Sequence, residues 1–557
     1  MAKVTFTPDN ITIHVKAGTT ILEAARSAGI KIESPCNGAG TCGKCKLYIE
    51  QIYPVNAVLT EKYDPVKTAS DREYILACTA CISNDLTITT DTGKDPKALK
   101  IISRGESFEV ELDCLVTKKY VEKIGITEVY AGHNLIAAEE GNSTERNFGI
   151  VVDIGTTTLV ASLVDLNTGN ELQTASSLNP QAIHAQDVLS RIKLASEENG
   201  LNILYKEVIE EITGLIDEVS VRTKTSKENI YEIVFSGNTC MLHIAAGINP
   251  YSLGKFPYTP EIRGGSHIKA SDHNISIAKE GIVYLPPVIS AYVGADITSG
   301  ILASQIHKKA GVILFVDIGT NGEMVISRDG RLTATSTAAG PAFEGMNITC
   351  GMRADKGAVE LFDMEDDYSI RLEVIGDTAA VGICGSGLLD IVGELVAAGV
   401  IKRNGKFVDA ENGEIPPVLA GKLVKLDGKT VFKVTEKVFI SQNDIRQVQL
   451  AKGAIRAGIE FLLESIGVTA AEVDSVLIAG SFGYHLRAKS LINIGLLPRQ
   501  FDGKIQFIGN TSKSGGRAFL LNKGYRRELE QLVKEVEVVE LASYKNFDRV
   551  FIKCLSF

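Results

Sequence analysis

Five of the ten cysteines, Cys36, Cys42, Cys45, Cys78 and Cys81, fall within the first 81 residues, while Cys114, Cys240, Cys350, Cys384 and Cys554 are scattered. Ten in 557 residues are too few for a disulfide scaffold. The opening MAKVTFTPDN has no apolar export segment, so the cluster reads as a thiolate site in a reducing cytoplasm. The run Ser34-Pro35-Cys36-Asn37-Gly38-Ala39-Gly40-Thr41-Cys42-Gly43-Lys44-Cys45 sets glycines between the cysteines. Such a loop wraps tightly around an inorganic centre and turns backbone N–H groups toward its sulfurs. The fourth ligand is either Cys78 or Cys81, in Leu76-Ala77-Cys78-Thr79-Ala80-Cys81. Four-cysteine zinc is the competing reading, but such sites usually pair two C-x2-C knuckles and here only one sits beside the Gly-rich loop.

A second chemistry is written twice. Gly149-Ile150-Val151-Val152-Asp153-Ile154-Gly155-Thr156-Thr157-Thr158 returns as Val312-Ile313-Leu314-Phe315-Val316-Asp317-Ile318-Gly319-Thr320-Asn321-Gly322, with Val-Asp-Ile-Gly-Thr identical. Each copy predicts a buried strand, an Asp at its end, a Gly turn rich in hydroxyl or amide groups, and a returning strand. The turn exposes N–H groups to phosphate oxygens, and the carboxylate can hold Mg²⁺ through water. One copy would be commonplace; two suit a nucleotide clamped between related halves. A third element, Ser475-Val476-Leu477-Ile478-Ala479-Gly480-Ser481-Phe482-Gly483, is an apolar strand entering a Gly-rich turn, where small residues admit a flat base to the backbone.

Weaker candidates lie between these motifs. Cys384-Gly385-Ser386-Gly387 precedes an apolar helix and can meet a phosphate or ribose, or simply allow close packing. Glu344, in Ala339-Gly340-Pro341-Ala342-Phe343-Glu344-Gly345, and Asn238, in Ser236-Gly237-Asn238-Thr239, are set in loops that could line the same cleft. Asp296 is an acid in an apolar stretch. Asp187 and Arg191 stand at i and i+4 of a helix and read as a surface ion pair. The eight histidines show no metal spacing.

Elements must position these groups. Val4-Thr5-Phe6 and Ile11-Thr12-Ile13-His14-Val15 predict a hairpin, and Thr19 or Thr20 caps a helix over Ile21 to Ala28, the opening of a β-grasp module. Residues 96–147 hold a strand-like Phe108-Glu109-Val110-Glu111-Leu112, an alternating patch near Ile124 to Val129, and a polar run 139–147 that reads as a boundary. The length suggests about three or four domains at roughly 150 residues each. We divide the chain into 1–95, a cluster-binding domain; 96–147, a linker with a small docking element; and 148–557, a two-lobed domain with lobes of about 148–310 and 311–557. The net charge of -10 disfavours nucleic acid and anionic membrane surfaces, and Pro286, Pro287 and Asp296 interrupt the most apolar stretch, so neither kind of partner is expected.

The C-x5-C-x2-C spacing with a fourth cysteine some 30 residues on resembles [2Fe–2S] ferredoxins of the plant and adrenodoxin-like types, with one residue more in the first gap than the plant-type pattern. That resemblance favours Cys36, Cys42, Cys45 and Cys78 as ligands. The order phosphate, phosphate, adenosine resembles the superfamily of acetate and sugar kinases, heat-shock chaperones and actin. A ferredoxin module ahead of that ATPase fold makes nearly the whole chain resemble the reductive activators of corrinoid proteins. The fold class implied is α/β and multidomain. The resemblance implies ATP-dependent, one-electron reduction of Co(II) to Co(I) in a corrinoid protein of a methyltransferase system, in the cytoplasm, fed by an external low-potential electron donor. A homodimer stays open. Implied cofactors are the [2Fe–2S] cluster, ATP and Mg²⁺. Asp153 and Asp317 would hold Mg²⁺ and position water; Gly155, Thr156, Thr157, Gly319, Thr320, Asn321, Gly322, Gly385, Ser386, Gly480, Ser481 and Gly483 would bind ATP. Better-known members carry a larger middle domain before the ATPase, whereas only about 50 residues stand there in this chain. Competing readings are a small-metabolite kinase with an iron–sulfur module and a nucleotide-sensing ferredoxin without turnover. Activators of 2-hydroxyacyl-CoA dehydratases share the ATPase fold but hold a [4Fe–4S] cluster on that domain itself.

Overall fold

The computed structural model describes residues 1–7, 10–28, 30, 32, 45–59, 66–67, 73–90, 108–410, 415–480 and 486–557. At the N-terminus, Ala2–Thr7 pairs antiparallel with Ile11–Val15 and parallel with Leu86–Thr89. The helix Ile21–Ser27 begins at a capping box in which Thr20 Oγ1 accepts from the Glu23 N–H while Glu23 accepts from the Thr20 N–H. Its inward residues, Ile21, Leu22, Ala24 and Ala25, bury against Val4, Phe6, Ile82 and Ile88. This is the β-grasp frame.

Three antiparallel strands, Val116–Val121, Ile126–Ala131 and Asn134–Glu140, form a small sheet. The stretch 108–112 runs without strand pairing, against its alternating pattern. The polar run after Glu139 is fastened down. Glu139 accepts from Lys118 Nζ (2.8 Å) and Tyr231 Oη (2.7 Å), the Ser143 N–H donates to Thr127 Oγ1, and Asn147 is buried with its amide on the Val116 carbonyl. Its residues bond to the small sheet and to Tyr231 of the next domain, so the run that reads as a boundary is held against the body of the protein.

The remainder is built twice. In the first half the hairpin strands Phe148–Ile154, Thr158–Asp165 and Glu171–Leu178 are antiparallel, and Ile230–Gly237 and then Ile282–Leu285 add parallel on the other side of Phe148–Ile154. In the second, Val312–Ile318, Gly322–Arg328 and Arg331–Thr337 repeat the meander, and Ser475–Ala479 and Ile505–Gly509 repeat the parallel additions. The near-continuous apolar runs of the two first strands follow from burial on both faces. The long helices Gly200–Thr223 and Gln442–Ser465 cover the outer faces through Leu204, Val208 and Ile212 in one half and Ile455, Ile459 and Leu462 in the other.

Between the sheets cross two shorter helices, Ala295–Ser304 and Thr511–Leu521. Their contact is made by small residues. A Cβ on Gly515 would stand 1.9 Å from the Ser299 carbonyl oxygen, and one on Gly300 2.6 Å from Phe315 Cζ. Ser236, from the first sheet, shares hydrogen bonds with Ser299 (2.9 Å) and Ser512 (2.8 Å).

Because backbone atoms cannot yield there, Gly515→Ala should force the helices apart and destabilise the protein by about 3 kcal/mol in denaturant titration. Gly214→Ala, inside the outer helix Gly200–Thr223 and with open space around the added methyl, should instead stabilise by up to about 1 kcal/mol. Equal effects at the two sites would refute this account of the crossing.

Candidate functional site

The strand ends of both halves open onto one cleft. Asp153 and Asp317 each occupy the next-to-last position of the first strand of their repeat, where the pleat turns the side chain out of the sheet toward the turn that follows. Gly155, Thr156 and Thr157 face Gly319, Thr320 and Asn321 across the cleft, joined there by Gly385, Ser386 and Gly480. Gly322 does not reach it: a Cβ there would meet Ile455 and Thr337, so this glycine serves packing at the start of its strand. Ser481 and Gly483, like Cys36 and Cys42, lie outside the described residues.

Gly480 has φ +109°, and a Cβ would fall 2.5 Å from the Ile318 carbonyl oxygen and 2.9 Å from Asp317 Oδ1. The third motif therefore touches the second phosphate turn through bare backbone, which only glycine allows. Gly385 and Ser386 begin the helix Gly385–Ala397, whose N-terminal N–H groups open onto the cleft. In the second turn the Gly319 N–H is taken by the Asn321 carbonyl at 3.0 Å.

Several groups that the motifs did not select complete the site. Asp153 accepts from Asn510 Nδ2 and Ser512 Oγ, both at 2.7 Å, at the start of the crossing helix Thr511–Leu521. Asp296 starts the other crossing helix, its Oδ1 accepting from the Ile297 N–H at 2.9 Å. Asn238 donates to Thr156 Oγ1 (3.0 Å), and Asn179 donates to the Gly155 carbonyl (2.9 Å). Glu344 ties the halves together: one oxygen accepts from Thr157 Oγ1 and the other from Thr320 Oγ1, while the two hydroxyls stand 3.2 Å apart. Glu323 and Arg353 also line the cleft. Asp296, an acid in an apolar stretch, and Glu344 and Asn238, in loops, carried a sequence signal; Asn510 and Ser512 carried none, because 357 and 359 residues separate them from Asp153.

The reading of Asp187 and Arg191 as a surface pair is wrong. Asp187 caps its helix, accepting from the Ser190 N–H at 2.8 Å, and Arg191 is fully buried, its guanidinium donating to the Thr156 carbonyl behind the first phosphate turn. Helical spacing could not reveal which face was covered.

Electrostatically the cleft is an acid cluster in want of a cation. Burial, then repulsion by Asp296 and Asp153, pushes the Asp317 carboxyl up to about 8. Burial pushes Asp296 up to about 7, with the Asp153 charge adding to it. Burial also raises Asp153, against the hydrogen bonds from Ser512 and Asn510. Among the described residues no three such side chains are grouped closely enough to hold a metal ion by themselves, but a cation in the cleft would relieve the repulsion on Asp317 and Asp296.

In the N-terminal domain Cys45 and Cys78 are buried with their sulfurs 3.3 Å apart. That is well beyond a disulfide bond of about 2.05 Å. It is near the separation of about 3.8 Å between two thiolates on one tetrahedral metal. Cys81 lies on the strand Cys81–Ile82 and pairs with Leu59 and Thr20.

Two related lobes closing on a carboxylate-lined cleft, joined to a β-grasp module with a cysteine pair, define an iron–sulfur protein fused to an ATPase of the acetate and sugar kinase, heat-shock chaperone and actin type. Residues 4–83 match the family model of a 2Fe-2S iron-sulfur cluster binding domain, 148–309 the RACo middle region, and 311–557 the C-terminal domain of RACo, the ASKHA domain. A solved structure described as a reductive activator for corrinoid, iron-sulfur protein is 30% identical, with TM-score 0.73, and the match covers 100% of this chain and 98% of that one. The corrinoid activation enzyme RamQ of Eubacterium limosum is 28% identical, over 97% of this chain and 96% of its own. The [Co(II) methylated amine-specific corrinoid protein] reductase of Methanosarcina barkeri is 24% identical, over 74% and 77%. The chain belongs to the family of reductive activators of corrinoid proteins. The expected lack of a larger middle domain is overturned, since the RACo middle region falls on the first lobe itself and the relatives are matched over nearly their full length. No helix among the described residues is long and apolar enough to cross a membrane.

The raised carboxyls fix the sign of a pH effect. Asp317 and Asp296 keep their protons in the folded protein at pH values where the unfolded chain, with Asp near 3.8, has lost them. The unfolded state then binds fewer protons, so stability falls as pH rises from about 4 to about 8. Without divalent ions, the melting temperature should drop across that window. Asp317→Asn should flatten the drop, and Mg²⁺ should reverse it at pH 8. A profile that rises over the same window would contradict the arrangement.

Proposed function

We propose that this protein couples ATP hydrolysis to one-electron reduction of a corrinoid protein of a methyltransferase system, Co(II) to Co(I), with an external low-potential donor supplying the electron. The observation that carries the reading is the joining, in one chain, of a buried cysteine pair on a β-grasp frame and a cleft where two Asp-Gly-Thr turns converge.

Each cleft residue has a task. The N–H groups of the two turns, apart from that of Gly319, and of the helix starting at Gly385 would hold the phosphates. Asp153 and Asp317 would bind Mg²⁺ through water, and the backbone at Gly480 would face the base. Glu344, bonded to a threonine of each lobe, makes lobe closure and phosphate occupancy mutually dependent, because phosphate oxygens compete for the same hydroxyls. ATP then need not react with cobalt: its binding and hydrolysis shift the lobes against a docked partner. An electron step uphill by about 100 mV lowers its equilibrium constant roughly fiftyfold, which is within reach of such coupling. Cys45 and Cys78, with Cys36 and Cys42 of the same loop, would hold the [2Fe–2S] cluster, which supplies a one-electron carrier when bound. The small sheet 116–140 is proposed as part of the docking element.

The test mixes the anaerobically reduced protein with corrinoid proteins and follows Co(I) absorbance with and without ATP. Co(I) should appear only with ATP, and Asp153→Ala or Asp317→Ala should abolish that dependence while leaving the visible spectrum of the cluster unchanged. ATP-dependent phosphorylation of a small metabolite, with no Co(I), would replace this reading by the kinase one. Iron and sulfide analysis should give about two of each per chain. Cys78→Ala should lose the cluster and Cys81→Ala keep it; the reverse would reassign the fourth ligand.

A further inference from the structure

Arg191 is fully buried; Asp187, Glu344 and Glu207 act on its guanidinium through space, but among the described residues no carboxylate accepts a hydrogen bond from it. Its three acceptors are all uncharged: the Ala185 carbonyl oxygen (3.2 Å), Met241 Sδ (2.8 Å) and the Thr156 carbonyl oxygen. Burial lowers the guanidinium only to about 10, so it is a cation at neutral pH. A buried cation bonded only to uncharged acceptors, with its carboxylates at longer range, attracts any further negative charge brought close to it.

Its position suggests where such a charge would sit. Thr156 belongs to the first phosphate turn, whose residues 155–158 line the cleft. In a trans peptide the C=O and N–H point in opposite directions, so fixing the Thr156 carbonyl on Arg191 turns the Thr157 N–H away from the guanidinium. Asn238 and Asn179 hold the same turn through Thr156 Oγ1 and the Gly155 carbonyl, which leaves the orientation of that peptide to Arg191. Resting on the nucleotide reading above, we propose that Arg191 is a positioning residue whose charge, acting through the Thr156–Thr157 peptide, is completed by the phosphate chain of the bound nucleotide. It does not touch the ligand. It selects for nucleotides by their number of phosphates, because attraction to a buried cation grows with the charge placed opposite it.

The experiment titrates ATP, ADP and AMP, with Mg²⁺, into the full-length protein by calorimetry. Arg191→Met should weaken ATP by roughly tenfold or more and AMP by no more than about twofold, compressing the ATP-to-AMP preference. Met241→Glu provides a variant in which the arginine stays in place. Met and Glu are similar in length, so the new carboxylate falls where the thioether accepts and neutralises the guanidinium internally. The fold should keep or gain stability while ATP affinity drops as in Arg191→Met. If Arg191→Met does not fold, Met241→Glu decides alone. Variants that keep the wild-type ATP-to-AMP ratio, or lose ATP and AMP equally, would overturn the inference and leave the nucleotide site standing. A wild-type protein that binds none of the three would overturn the nucleotide reading itself.

Discussion

Two helices approach to backbone distance only where the contact carries no Cβ, and the crossing of Ala295–Ser304 with Thr511–Leu521 meets that condition at Gly515, while Gly300 lets the first helix seat on Phe315 of the second sheet. Each helix follows the parallel strands of one half yet packs into a core shared by both sheets, with Ile297, Ile301 and Phe519 beside Val151, Phe315 and Leu477. The crossing therefore fixes how the halves meet. It also brings both helix N-termini to the cleft, where Asn510 and Ser512 reach Asp153 and Asp296 takes the first turn of its own helix. Helix N-termini favour negative charge, which partly offsets the crowding of acids there. A larger residue at either glycine would shift the helices that carry Asp296 and the partners of Asp153.

The cleft carries the opposite tension. Asp153 raises the proton affinity of Asp296, and both raise that of Asp317, in a site of restricted solvation, while Arg191 is held behind one turn with only uncharged acceptors in direct contact. Buried charges of both signs, none of them in a direct ion pair, suit a ligand that brings a cation and an anion together, as a magnesium–nucleotide complex does. Glu344 spans the two halves meanwhile, using hydroxyls that phosphate would otherwise take. The same contact that joins the lobes is thus the one a ligand must renegotiate, and this gives nucleotide state a direct mechanical consequence.

The sequence by itself determined the parts whose chemistry is local. The glycine-separated cysteines, the doubled Asp-Ile-Gly-Thr turn and the Gly480 turn are contiguous motifs, legible because a turn or loop of a few residues specifies its own geometry. The alternation and capping signals of the N-terminal hairpin and helix were equally local, and the structure places them as read. Only the tertiary structure decided which residues face one another. Helical spacing showed Asp187 and Arg191 as neighbours but could not show that the first phosphate turn and the helix Thr239–Ala245 cover the arginine. The polar run 139–147 read only as a boundary because its partners, Lys118, Thr127 and Tyr231, are remote in sequence or hidden in strand register. Asn510 and Ser512 carry no motif at all, and they reach Asp153 only because two glycine-lined helices cross. Side-chain contacts over hundreds of residues follow from packing, and packing is a property of the assembled core that no window of sequence contains.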